Sequence, residues 1–370
     1  MKLICSQQTL SNAISTVQKA VSSKTTLPIL KGLLLECVQD KLYLIGNDLE
    51  LGIQSCIDAD VFDEGSVVID SRLFGDIIRK LPNAPVEIYT DNEFNIYIKC
   101  EFSEFKIKGL SPEDYPRLPD VDEEMFYQIP EDLFKNMIKQ TVFAISQDET
   151  KPILMGELLE IEGDNISLIA IDGYRLATKT GQINNNVGNI KVIIPGKALN
   201  EINRILAGDE GREIKISFTE KHALFLIDNT KIITRLLEGE FINYKQILPK
   251  EYNLRVKVST KKLLSCIERA SLLAKEGKNN LVKFSIRDDI MLVTSNSEIG
   301  NVQEEISISL EGEDLDIAFN SRYLMEGLKV IDSEEIYLEF TTNVSPCIIK
   351  PEDGEKYIYL LLPVRISSSR

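Results

Sequence analysis

The sequence predicts an α+β protein built from three tandem copies of one two-helix, antiparallel-sheet unit. Three observations predict it. Motifs recur at a spacing of 124 to 125 residues, six segments read as amphipathic helices, and the intervening runs alternate apolar and polar residues.

The shortest recurrence is Leu27-Pro28-Ile29-Leu30, which returns as Lys151-Pro152-Ile153-Leu154, 124 residues on. Asn47-Asp48-Leu49 returns at the same offset as Ile171-Asp172-Gly173. One further step reaches Ser295-Asn296-Ser297, which reads as a third polar break between strands. Longer recurrences cover 67–81, 192–206 and 317–331. Each runs from an apolar strand through a turn-forming pair and a basic residue into a helix with apolar residues at i, i+3, i+4 and i+7. The basic positions are Arg72, Lys197 and Arg322, each 125 residues from the next. A third set opens the units at Ser6, Pro130 and Ser259, each with a helix-start signal after a short strand.

Each unit therefore reads as helix, strands, helix, strands. Alternation in LYLIGNDLELGIQSCI and EIKISFTEKHALFLI predicts antiparallel sheets with one face packed and one wet. The joins fall at 119–124 (PDVDEE) and 249–253 (PKEYN), which are polar, proline-marked and too short to be flexible linkers. The expected domains are 1–121, 125–250 and 254–370, held rigidly in an arc.

Composition narrows the class. At 43% hydrophobic and 27% charged residues, packed cores are expected and disorder is not. No run approaches the roughly 18 to 20 apolar residues of a membrane span. The N-terminus has no long apolar region and no small-residue cleavage site. It alternates through Leu3 and Cys5, as a first strand does. Six cysteines at 5, 37, 56, 100, 266 and 347 lie scattered in apolar or strand-like runs without C-x-x-C, which predicts reduced, buried thiols in a cytoplasm. Neither a P-loop nor a G-x-G-x-x-G motif is present, and Cys and His show no metal-ligand spacing. The one histidine, His222, sits in a strand pattern. The expectation is a protein without catalysis, cofactor or metal. A net charge of −16 argues against a nucleic-acid binder that works by neutralising phosphates.

The motifs TLPIL (26–30), GNDLELGIQ (46–54), AIDGYRLA (170–177), GEFINYKQILP (239–249), FNSRYL (319–324) and LLPVRI (361–366) resemble the bacterial sliding clamp family, the β subunits of the DNA polymerase III holoenzyme. The resemblance runs in family order along the whole chain. It implies the DNA clamp fold, with two arc-shaped chains closing head to tail into a ring, helices lining the hole and sheets forming the outer wall. Duplex DNA would pass through the hole. The clamp would tether the replicative polymerase and other DNA-processing proteins, and an ATP-hydrolysing clamp loader would open and close it. The charge objection then falls away. A topological link needs only loose phosphate contacts. With a Debye length of about 10 Å at 0.1 M salt, an acidic rim and a basic lining act almost independently.

The resemblance also implies sites. Lys24, Arg72, Gln147 and Lys197 match DNA-facing positions, and Arg79 and Lys80 add to the basic bias of the same helix. A groove for a short peptide with a glutamine and large apolar residues would use Leu154, Ile171, Gly173, Tyr174, Arg175, Leu176, Ile247, Asn320, Tyr323, Val344, Leu362, Pro363, Val364 and Arg365. Ile171, Tyr174, Gln246 and Pro346 depart from residues found in some members, which touches peptide preference. Phe105 and Ile107 match positions that meet Leu272 and Leu273 of a second copy. Glu298, Glu304 and Glu305 would lie opposite Lys106 or Lys108. The rival reading is an acidic repeat scaffold that binds proteins and not DNA.

Overall fold

The computed structural model describes residues 1–22, 24–121, 125–184, 187–276, 280–352, 354 and 356–365. Among them six α-helices form: α1 (Gln7–Val17), α2 (Ser71–Lys80), α3 (Glu131–Thr141), α4 (Gly196–Ile205), α5 (Thr260–Ala274) and α6 (Ser321–Leu328). Polar side chains start three of them. Ser6 Oγ accepts from the Thr9 amide at 3.5 Å, Asp70 Oδ1 from Leu73 at 2.7 Å and Asn320 Oδ1 from Arg322 at 2.9 Å. Each satisfies an amide that has no partner within the helix. The apolar stripes turn inward: α1 buries Leu10, Ala13, Ile14 and Val17, and α5 buries Leu263, Cys266, Ile267, Ala270 and Ala274.

The repeat extends to individual hydrogen bonds. Pro28–Lys31 and Pro152–Met155 both form 3-10 turns with proline in the first turn. Asp48 Oδ1 accepts from the amides of Glu50 (3.1 Å) and Leu51 (2.8 Å). Asp172 Oδ1 accepts from those of Tyr174 (2.8 Å) and Arg175 (3.0 Å). The residue after each aspartate has positive φ, +75° at Leu49 and +96° at Gly173. Glycine takes that conformation without the steric cost a leucine side chain bears. The third copy differs. Asn296 lies inside the strand Ile290–Ser297, and the chain turns only afterwards, at Glu298 and Ile299, before Gly300–Ser307. The expected break at Asn296 is therefore displaced by two residues into a hairpin tip.

The chain divides into two compact bodies, Met1–Asp132 with Glu201–Leu236, and Leu133–Asn200 with Leu237–Arg370. The division follows strand pairing and not the repeat. In the first body an eight-stranded antiparallel sheet runs Tyr127–Pro130, Glu213–Phe218, His222–Ile227, Thr230–Arg235, Leu51–Asp58, Lys41–Asn47, Gly32–Val38 and Gly65–Asp70. Its seam between repeats is the pairing of Ile232 with Ile53. A five-stranded sheet in the same body ends on the edge strand Ser103–Lys108. Gly46 lets a strand approach α1 closely, since a Cβ there would stand 2.3 Å from the Val17 carbonyl oxygen.

In the second body a nine-stranded sheet joins strands of the second and third repeats, where Ala177 pairs with Tyr359. A four-stranded sheet ends on the edge strand Gly300–Ser307. The expectation of one wet face per sheet fails here. Gly156–Glu162 is buried at six successive positions. Phe241 and Tyr244 cover the face that alternation assigns to water, in a cluster with Leu158, Ile169 and Leu176.

Residues 122–124 of the first join, and Ile366 of the terminal motif, lie outside the described residues. At the second join the Asn253 amide donates to the Phe340 carbonyl at 2.9 Å. All six cysteines are free thiols and five are buried. Cys56 is half-buried because it shares a strand face with Gln54 and Asp58. Burial, reinforced by Cys37, pushes the Cys5 thiol up to about 12. Among the described residues no helix is long and apolar enough to cross a membrane.

Candidate peptide groove, nucleic-acid face and edge strands

The candidate groove lies within the second body. Leu154, Ile171, Leu176 and Ile247 share one apolar cluster, floored by Phe241, Tyr244, Ile348 and Leu360. The Tyr244 hydroxyl donates to Glu160 Oε2 at 3.0 Å, which fixes the floor from below. Leu154 and Leu176 are buried, whereas Tyr174 is 62% exposed and Leu362 38%. The C-terminal segment is tied down by its backbone. The Leu362 amide donates to the Tyr174 carbonyl at 2.9 Å, and the Val364 amide to that of Ala318 at 2.8 Å. Pro363 is half-buried and Arg365 exposed. Val344 stands on an exposed loop, where the hydroxyls of Thr342 and Ser345 lie 2.7 Å apart.

At the rim, the Tyr174 and Tyr323 rings stack 6.2 Å apart at 27°. Arg175 lies behind them and does not project outward. Its side chain is only 6% exposed and bonds Asp172 Oδ2 (2.9 Å), Glu326 Oε2 and the Phe143 carbonyl (2.7 Å). Burial opposes its charge. Tyr359, Glu326 and Asp172 outweigh that and hold its pKa above the usual value. Asn320 spends its side-chain oxygen on capping α6, the helix that carries Tyr323 and Glu326.

Glu326 and the floor residues Phe241 and Tyr244 were not singled out by the sequence reading. The spacing of Arg322 and Glu326, i to i+4 on a helix, is the signal that flags the first. Beside the apolar cluster, a cleft of about 400 Å³ is lined by Lys245, Leu248, Tyr252, Pro346, Ile348 and Ile358.

The DNA-facing candidates divide between the bodies. Lys24, Arg72, Arg79 and Lys80 belong to the first, and Gln147 and Lys197 to the second. All six are exposed. Arg72 and Arg79 lie seven residues apart on α2, hence on one face. Arg79 is engaged locally, with Asp76 at 2.7 Å and Gln18 Oε1 at 3.2 Å. Arg79 and Lys80 also occupy the last turn of α2, where positive charge suits the helix dipole.

The remaining candidates lie on the two edge strands and at the end of α5. Phe105 is 39% exposed and Ile107 half-buried on Ser103–Lys108. Leu272 is 66% exposed and Leu273 half-buried at the end of α5. Glu304, expected opposite a lysine of another copy, accepts from Arg269 Nε of its own chain at 2.6 Å. Lys106 lies 5.1 Å from the Tyr97 ring centre, and Lys108 donates to the Glu93 carbonyl at 2.6 Å.

Comparison with known proteins gives a consistent assignment along the chain. The DNA polymerase III β subunit N-terminal domain matches residues 1–119, the central domain 128–243 and the C-terminal domain 245–365. The β sliding clamp of Staphylococcus epidermidis is 38% identical over 364 residues, 96% of each chain. That of Staphylococcus aureus is 39% identical over 357 residues, 94% of each. The sliding clamp structure from Bacillus subtilis superposes with a TM-score of 0.96 at 37% identity, covering 99% of both chains. The polymerase β subunit of Streptococcus pyogenes gives 0.94 at 29%, covering 99% of this chain and all of that one. The chain belongs to the bacterial β sliding clamp family, the β subunit of DNA polymerase III, and is a non-catalytic processivity factor of that polymerase.

Proposed function

We propose that two copies of this chain close head to tail into a ring around duplex DNA. Full-length family membership carries the reading. The edges support it. Ser103–Lys108 and Gly300–Ser307 each end a sheet with unpaired backbone groups, and such edges invite pairing. A joint between two different surfaces is heterologous, and it closes into a ring only when the rotation per copy allows. In this reading Phe105 and Ile107 of one protomer pack on Leu272 and Leu273 of the next. The domains are 1–121, 125–250 and 254–370. Lys24, Arg72, Arg79, Lys80, Gln147 and Lys197 face the DNA.

The groove takes the short motif of the polymerase, the clamp loader and other DNA-processing proteins. Its apolar cluster seats the large side chains, while Asn320 and Arg365 orient polar groups. Arg175 supports the groove from beneath. The protein acts in the cytoplasm, without a membrane partner.

Solution mass together with particle shape tests the proposal. The expected result is a dimer with a central hole wide enough for duplex DNA. A monomer at working concentration, or a dimer without a hole, would contradict it.

A further inference from the structure

Glu326 lies at the meeting point of the second and third repeats. Its Oε2 accepts from Arg175 Nη1, and its Oε1 accepts from Arg322 Nε at 2.8 Å. Arg175 in turn sits 4.4 Å from the centre of the Tyr323 ring and 5.4 Å from that of Phe143. Tyr323 stacks on Tyr174, and Asp172, the other carboxylate on Arg175, also holds the turn that carries Tyr174. The Tyr359 hydroxyl donates to the Tyr323 carbonyl at 2.9 Å and fixes the backbone of the same residue.

We infer that Glu326 is a positioning residue of the groove, and that its ion pair with Arg175 presets the Tyr174–Tyr323 rim to receive an aromatic anchor of a partner peptide. The inference rests on the groove reading above. A buried guanidinium between two carboxylates has one orientation. With one carboxylate gone it re-aims toward the other, and the ring stacked on it loses its support. A rim that is ordered before binding spares the peptide the cost of ordering it. An aromatic anchor gains most, because ring pairs depend on relative orientation while aliphatic contacts do not.

The test compares two fluorescein-labelled peptides. Each carries a glutamine and apolar residues, and they differ only in a phenylalanine or leucine anchor. Binding to the full-length protein and to Glu326→Gln is followed by anisotropy. The phenylalanine peptide should weaken by about tenfold and the leucine peptide by less than about threefold. Equal weakening of both, or none of either, overturns the inference and leaves the groove standing. If neither peptide binds the unaltered protein, the groove reading itself fails. Should Glu326→Gln not fold, Glu326→Asp applies the same test. It keeps the charge but is one methylene too short to reach both arginines, so undiminished selectivity for phenylalanine overturns the inference.

Discussion

Thr141 and Glu157 illustrate how one proton can matter at the residue scale. The Thr141 hydroxyl lies 2.8 Å from the Met137 carbonyl and 2.6 Å from Glu157 Oε2. One hydroxyl proton cannot serve both acceptors. A protonated Glu157 resolves the count by donating to Thr141 Oγ1 while Thr141 donates to the helix carbonyl. Glu157 is fully buried, and burial pushes its pKa up to about 8 against the lowering effect of Thr141. An unfolded carboxyl titrates at about 4.3, so the folded state holds the extra proton between those values. Stability from this group is therefore present at low pH, falls as pH rises from about 4.3 towards 8, and is flat above. Glu157→Gln keeps the donor without the titration. Its melting temperature should gain on that of the unaltered protein as pH is raised from 5 to 8, measured by thermal unfolding at each pH. A gap that does not change with pH would contradict the protonated assignment. The sequence concealed this residue because a glutamate in an alternating strand reads as outward-facing. Burial of residues 156–161 on both faces reverses that reading. Arg175 was legible as a groove candidate from its motif, but its inward turn is held in part by Glu326, 151 residues away.

At the scale of elements, helices were the most legible feature. Their period of 3.6 and their capping residues are local, so Ser6, Asp70 and Asn320 mark starts that the structure shows bonded. The equivalence of the Asp48 and Asp172 turns was legible from spacing alone. The displaced third turn was not, because hairpin length is set by pairing across strands. The C-terminal segment Leu362–Arg365 has no regular structure and is held by the amides of Leu362 and Val364. Removing residues 362–370 deletes four groove candidates while the strand Tyr357–Leu361 keeps its partners. Peptide affinity should then fall by at least about tenfold, with the chain still folded by circular dichroism. Retained affinity would remove the segment from the groove.

At the scale of the whole molecule, the repeat was legible in the sequence, but its division into bodies was not. Strands of the middle repeat join both neighbouring sheets, through Ile232–Ile53 and Ala177–Tyr359. Such pairings are non-local, and no sequence window contains both partners. In the proposed reading the unequal decoration of the copies divides their work. The first presents an edge strand and four exposed basic candidates. The second and third supply the groove candidates. A net charge of −16 is compatible with a topological hold, which does not require tight phosphate contacts.

Retention on DNA tests this account most directly. Protein loaded by a clamp loader with ATP onto a nicked circular plasmid is separated from free protein by gel filtration at moderate salt, before and after the circle is cut. The expected result is co-elution with the circle, release on linearisation, and reduced loading of Lys24→Glu with Arg72→Glu at unchanged melting temperature. Retention that survives linearisation, or no retention on either form, would contradict it.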